Sequence, residues 1–215
     1  VMLKAKNPTS ETLDKIAFWE NFEAINGHKT IITEEDFQGA NRIVKNLQTL
    51  SMYSVMQNNY GMAEASFFFT DPIFGLELRV RPDWHIVPCS TFPNGLILDL
   101  KTTSDARAIA FQRQCGNFAY DLSAAMYREG FQQVYGTENK PDFIFLVAEN
   151  TAPFNVKQYK ASNLFLSIGE QRYYRAKELL AESLLLQEWD GYSKELEEIN
   201  LPSYMLKQAL QHEFN

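Results

Sequence analysis

"GLILDLKTTSD", residues 95–105, sets an acid and a lysine two positions apart in a stretch otherwise composed for burial. A period of two is that of a strand, with Leu96, Leu98 and Leu100 on one face and Ile97, Asp99 and Lys101 on the other. Asp99 and Lys101 therefore project together. A buried, unpaired carboxylate or ammonium is strongly unfavourable, so this pair needs partners or a task. The same alternation is also normal for a half-exposed sheet face, and on this stretch alone both readings stand.

Working upstream, "LELRVRPDW" (76–84) has the same period, with Leu76, Leu78 and Val80 opposed to Glu77, Arg79, Arg81 and Asp83. "FPNG" at 92–95 is a turn signal. The two stretches are expected to form neighbouring antiparallel strands joined by a loop. If that hairpin is in register, the carboxylates of Asp83 and Asp99 converge with Lys101. Such oxygen ligands suit Mg²⁺ or Mn²⁺, hard cations held at about 2.0–2.2 Å by a few carboxylates, with water and phosphate oxygens completing the shell. A lysine beside the metal orients an attacking water and offsets charge building on a phosphate. This is chemistry for phosphodiester hydrolysis.

Further out, Thr9 to Asn26 reads as a helix ended by Asn26-Gly27, and a long helix is expected from about Glu34 to Gln57. Thr33 and Asp36 resemble a capping box at its start. "NNYGMAEASFFFTDPIFG" holds a turn, a short apolar run and a second turn, its phenylalanines reading as core rather than as a base-stacking platform. Residues 106–134 read as helical, 142–150 as a buried strand, 154–162 as a partly exposed strand and 163–189 as a long helix. Helices flanking a small mixed sheet make an α/β or α+β fold.

The chain has 215 residues, 45% hydrophobic and 22% charged, which suits one folded domain with a substantial core. Within it we distinguish a helical part over 1–60, a core over 61–162 and a second helical part over 163–215. The only cysteines, Cys89 and Cys115, exclude a disulfide scaffold and make a poor zinc site. No stretch approaches the roughly 20 apolar residues of a membrane span, and the start lacks the apolar core of a signal peptide, so a cytoplasmic setting with no membrane partner is expected. The chain begins at Val1 rather than at methionine, as expected of a fragment or processed product. A net charge of −7 argues against a general nucleic-acid binder. Residues 170–200 carry eight acids against four bases, however, whereas 76–114 is nearly neutral, its acids including Asp83 and Asp99.

Asp83, fifteen intervening residues and then Asp99-Leu100-Lys101 is similar to the PD-(D/E)XK nuclease motif, with Pro82 as its first letter. "RVRPDW", "LDLKTTSDA", Phe111, "YDLSAAMY" (120–127) and "EWDGYSKELEEINLPSYM" (188–205) together resemble the RecE-type exonuclease VIII family of phages and prophages, from about residue 10 to 205. The resemblance implies a restriction-endonuclease-like fold and metal-dependent exonuclease digestion of linear double-stranded DNA, 5′ to 3′. The 3′ strand so left would serve a single-strand annealing recombinase. It further implies a homo-oligomer, often a ring around the duplex.

By matching positions, Asp83, Asp99 and the Leu100 carbonyl would bind Mg²⁺ or Mn²⁺ and Lys101 would position the water. Glu64, in "GMAEAS", would support a second metal; its bland reading is a surface acid at a helix end. Tyr120, Ser123 and Tyr127 share a helix face and are candidate DNA contacts, as are Arg79, Arg81 and Thr102. The tyrosines read equally as core-edge packing and the arginines as partners of neighbouring acids. Ser123 stands where many relatives have glutamine. The active-site histidine of relatives has no match among His28, His85 and His212 and is expected upstream of Val1. Two cysteines exclude the four-cysteine iron–sulfur nucleases of the same superfamily. The alternative is a catalytically silent or truncated module that keeps the fold and binds DNA ends or protein.

Overall fold

The computed structural model describes residues 9–189 and 191–203. The chain runs α1 (Ser10–Asn26), α2 (Glu34–Leu47), α3 (Ser51–Asn58), β1 (Gly61–Ala63), β2 (Phe67–Thr70), β3 (Glu77–Val80), β4 (Trp84–Ile86) and β5 (Leu96–Thr103). It continues through α4 (Ala108–Asn117), α5 (Tyr120–Tyr135), β6 (Asp142–Glu149), β7 (Val156–Lys160) and α6 (Asn163–Leu186). Asp190, Tyr204 and Met205 of the 188–205 stretch, and His212, lie outside the described residues. No described helix is long and apolar enough to cross a membrane.

Five strands form a sheet in the order β1-β4-β5-β6-β7, with β5 at its centre. β5 pairs antiparallel with β4 and parallel with β6, and the other pairs are antiparallel. A parallel neighbour requires a crossover, which α4 and α5 supply. That crossover buries Phe111, Ala124 and Phe131 on one face of the sheet with Ile97, Phe143, Phe145 and Val147. On the other face Met52, Val55 and Met56 of α3 cover Ile86, Leu96 and Leu98. β5 is therefore apolar on both sides over its first half, and the result is a mixed sheet between helical layers, as expected.

The expected hairpin takes a different form. β3 pairs with β2 in a separate two-stranded ribbon, Phe68 opposite Arg79 and Phe69 opposite Leu78. The antiparallel partner of β5 is instead the three-residue β4, which puts Trp84 opposite Leu98. Pro82, which has no amide hydrogen to give a ladder, stands between β3 and β4 and separates one apparent strand into two. In the aromatic run, Phe67 is buried and Phe68 is exposed, so only part of it is core.

Two expected long helices are each broken. Residues 48–50 separate α2 from α3, and Ala119, with a left-handed φ of 53°, separates α4 from α5. The Thr33–Asp36 capping box is present with the shorter acid: each side chain bonds the other's backbone amide. Gly95 closes the turn before β5 at a φ of +74°, and a Cβ there would lie 2.1 Å from the Phe131 ring. Only glycine satisfies both demands.

α6, which carries part of the acidic 170–200 segment, docks on α5 through ion pairs. Arg172 bonds Asp121 at 2.8 and 2.9 Å, and Glu170 accepts from Arg128 at 2.8 Å. Lys177, 4% exposed, donates to both Glu129 oxygens at 2.9 Å and to Asp71 in the turn after β2. Gly169 lets the helices meet, since a Cβ there would stand 2.1 Å from the Asp121 carbonyl.

Candidate active site

The sheet register aligns the acids. Ala63 faces Trp84 and Trp84 faces Leu98, so the next step brings Glu64, just past β1, and Asp83, just before β4, level with Asp99 in the middle of β5. The Glu64 amide donates to the Asp83 carbonyl at 3.1 Å, which carries the backbone pairing one residue past the β1–β4 ladder. Asp83 Oδ2 accepts from the Leu100 amide at 2.7 Å, tying the segment before β4 to the middle of β5. Neighbouring strands lie about 4.8 Å apart, so the three residues form a row that starts beyond the ends of β1 and β4 and meets β5 at its middle.

Asp99 is 2% exposed, and its Oδ2 is bonded to the Lys101 ammonium. Its Oδ1 is buried with no protein partner among the described residues. Burial pushes the Asp99 carboxyl up to about 6, against Lys101, which pulls it back, and with Asp83, which pushes it further. Burial works against the Lys101 ammonium too, yet Asp99 and then Asp83 hold its pKa above the ordinary value. The ammonium also lies 5.0 Å from the centre of the Tyr120 ring, a cation–π contact that fixes its position.

The α5 face adds phenolic groups. Burial first, and then the negative charge of Asp99, raise the Tyr127 hydroxyl above its ordinary pKa against the opposing pull of Lys101. Tyr120 is held by Gln114, whose Nε2 donates to its hydroxyl at 3.2 Å and to the Thr102 carbonyl at 3.0 Å. Gln114 had no signal in the sequence. Ser123 lies on the same helix between the two tyrosines.

The remaining candidates are placed apart or otherwise engaged. Glu64 follows β1 rather than ending a helix, its φ is 51°, and its carboxylate pairs with Arg81 Nε at 2.9 Å. Both side chains are more than half exposed, so the pair is weak. Arg79 lies over the Phe68 ring on the β2–β3 ribbon and is not part of the row. Thr102 is exposed and contributes its carbonyl to Gln114. His85, fully buried, bonds the Tyr135 hydroxyl at 2.7 Å through Nε2, and burial lowers its pKa to about 4. It is a neutral core residue.

Among the described residues no three His, Cys, Asp or Glu side chains stand close enough to hold a metal by themselves. The donors on offer are two carboxylates, Asp83 and Asp99, and the Leu100 carbonyl, with Glu64 turned toward Arg81. The unpartnered Asp99 Oδ1 fits a cation, because a buried acceptor without a donor is unfavourable by about 1–3 kcal/mol. Among the described residues, cavities lie on both faces of the sheet. One of about 510 Å³ lies between α4, β7 and the start of α6, away from the row, and its Asp121 is already paired with Arg172. The other, of about 240 Å³, includes Asp83 and Leu100 in its wall.

Comparison with solved structures finds a candidate exonuclease from Eubacterium rectale, 16% identical, superposing with a TM-score of 0.54 over 95% of this chain and 81% of that one. SSO0001 aligns at 14% identity over 67% of this chain and 62% of that one, with a TM-score of 0.36. A search of curated proteins returns no match. The first similarity supports the fold. Residues 11–202 match the family model of a PDDEXK-like domain of unknown function, DUF3799. With that match spanning the acid row, β5 and the helices around them, the chain belongs to the PDDEXK-like DUF3799 family.

Proposed function

We propose that this protein is a metal-dependent exodeoxyribonuclease that hydrolyses linear double-stranded DNA from its ends, 5′ to 3′, leaving 3′ single strands for a recombination partner. The observation that carries the reading is the row Glu64–Asp83–Asp99 with the orphaned Asp99 Oδ1 beside Lys101. Asp83, Asp99 and the Leu100 carbonyl would hold Mg²⁺ or Mn²⁺, and Glu64, released from Arg81, would serve a second ion. Such a cation supplies Lewis acidity toward a phosphate oxygen and toward water.

Lys101 donates to the attacking water and holds it against the phosphate, while its charge offsets the negative charge that builds on phosphorus. Water adds hydroxide to phosphorus as the P–O3′ bond breaks, its second proton reaching the 3′ oxygen, which leaves a 5′-phosphate. Asp99 must be ionised to serve, and at pH 8 it is, since its pKa of about 6 lies below. Tyr120 holds the Lys101 ammonium in place through its ring face. Exposed apolar side chains such as Phe18 and Ile25 on α1 support contact between copies in a homo-oligomer.

The test is digestion of linear duplex DNA labelled at each 5′ end, with Mg²⁺, Mn²⁺ or EDTA, beside a closed circle. Metal-dependent loss of the linear form alone, with 5′ label released first, is expected; equal loss of the circle would refute end dependence. A second reading, a silent module that binds DNA ends, is favoured by the lack of a three-carboxylate cluster among the described residues and by Ser123. It predicts DNA binding with no hydrolysis in either metal.

A further inference from the structure

Among the described residues two cations bond acids of the row: Lys101 holds Asp99, and Arg81 holds Glu64 through Nε at 2.9 Å. The pairs differ in exposure. The side chains of Lys101 and Asp99 are 21% and 3% exposed, whereas those of Arg81 and Glu64 are 63% and 57% exposed. We propose that Arg81 is an exchangeable cover on the Glu64 carboxylate: a phosphate of the bound DNA strand draws the guanidinium away, which frees Glu64 for a second cation. The inference rests on the nuclease reading above and adds to it a residue that couples substrate binding to metal loading.

The surroundings decide what is fixed and what moves. The Glu64 amide is bonded to the Asp83 carbonyl at 3.1 Å. Through the buried Pro82, Arg81 stands two residues from Asp83, at most about 7 Å along the chain. Asp83 is itself tied to the Leu100 amide. The backbone on both sides of the ion pair is therefore anchored to the row, while the two exposed side chains are free to change rotamer. An exposed pair of this kind is weak, so a competitor opens it. Phosphate competes for Arg81, because the planar guanidinium meets two of its oxygens in parallel bonds. A divalent cation competes for Glu64, and the like charge of a guanidinium on the same carboxylate opposes it. Either exchange alone strands one partner, whereas both together leave every charge paired, so phosphate and cation each tighten the other by the same factor. Glu64 also stands at a φ of 51°, in the left-handed region that glycine favours. An acid kept in a conformation that disfavours it fits a task beyond a surface ion pair.

The test titrates Mn²⁺ at pH 8, read by electron paramagnetic resonance, into the native protein, Arg81→Gln, Glu64→Gln and the double variant, each checked for folding by circular dichroism. The native protein should take up one tight ion and a second, weaker one. Arg81→Gln should tighten the second roughly fivefold and leave the first unchanged, and Glu64→Gln should abolish the second with or without Arg81. Short duplex DNA, bound in Ca²⁺ and followed by fluorescence anisotropy, reads the other half of the exchange. Arg81→Gln should weaken binding and lower the slope of log affinity against log salt by about one, and Arg81→Lys should restore that slope. An unchanged second Mn²⁺ in Arg81→Gln, or an unchanged salt slope, overturns the exchange, and overturns it alone where the native protein cleaves DNA in Mg²⁺. Native protein that takes up no Mn²⁺ refutes the nuclease reading and the exchange with it.

Discussion

Replacing Asp99 by asparagine keeps the shape of the site and removes its buried charge, and the consequence for stability can be worked from the structure. In the unfolded chain the carboxyl has its ordinary pKa of 3.8, and in the fold it rises to about 6. The folded state therefore holds the proton more tightly. Its contribution to stability is fully present below pH 3.8, is lost as pH rises through 6, and is gone at pH 8. At about 1.4 kcal/mol per unit, the two-unit rise makes the native protein about 3 kcal/mol less stable at pH 8 than the same group would leave it at pH 3.5. A carboxamide at this position cannot titrate, so the pH dependence specific to the site should vanish in Asp99→Asn. The assay is urea unfolding of both proteins, in EDTA, at intervals from pH 3.5 to 8. The difference between their unfolding free energies should change by about 3 kcal/mol across that window, in favour of the variant as pH rises. A constant difference would refute the claim that burial controls Asp99.

Three further outcomes are expected. Lys101→Ala should abolish cleavage while metal binding measured by calorimetry largely survives, whereas Asp99→Ala should weaken both; normal cleavage by the Lys101 variant would contradict its role. Mn²⁺ affinity should be flat above pH 6 and fall about tenfold per unit below it, because proton and cation compete for the Asp99 carboxylate. Lys177→Ala should lower stability by about 3–5 kcal/mol, as it strands Asp71 and Glu129 in a buried setting. Denaturant titration reads that loss, and a change below about 1 kcal/mol would mean the cluster is solvated.

The central strand was legible because apolar and charged residues alternate from Leu98 to Lys101, and one period suffices to set Asp99 beside Lys101. The partner of that strand was not. "LELRV" has the stronger pattern, whereas the true partner, Trp84–Ile86, is three residues long and too short to show any period. The row of acids depends on registers across two such short strands, β1 and β4, so only Asp83 and Asp99 could be paired in advance. Gly116-Asn117 stands just before the break between α4 and α5 and is a readable end signal, but the α2–α3 break at 48–50 contains neither glycine nor proline. The buried Lys177–Asp71–Glu129 cluster joins residues 106 and 48 positions apart, a distance over which no local pattern reaches.

In the proposed reaction, cleavage depends on Asp83 and Asp99 holding a divalent cation together. The most direct measurement is Mn²⁺ binding followed by electron paramagnetic resonance at pH 8, on the native protein and on the double variant Asp83→Asn/Asp99→Asn. Stoichiometric Mn²⁺ uptake by the native protein and its loss in a folded double variant is the predicted result. Equal uptake by the two proteins, or none by the native one, would contradict it.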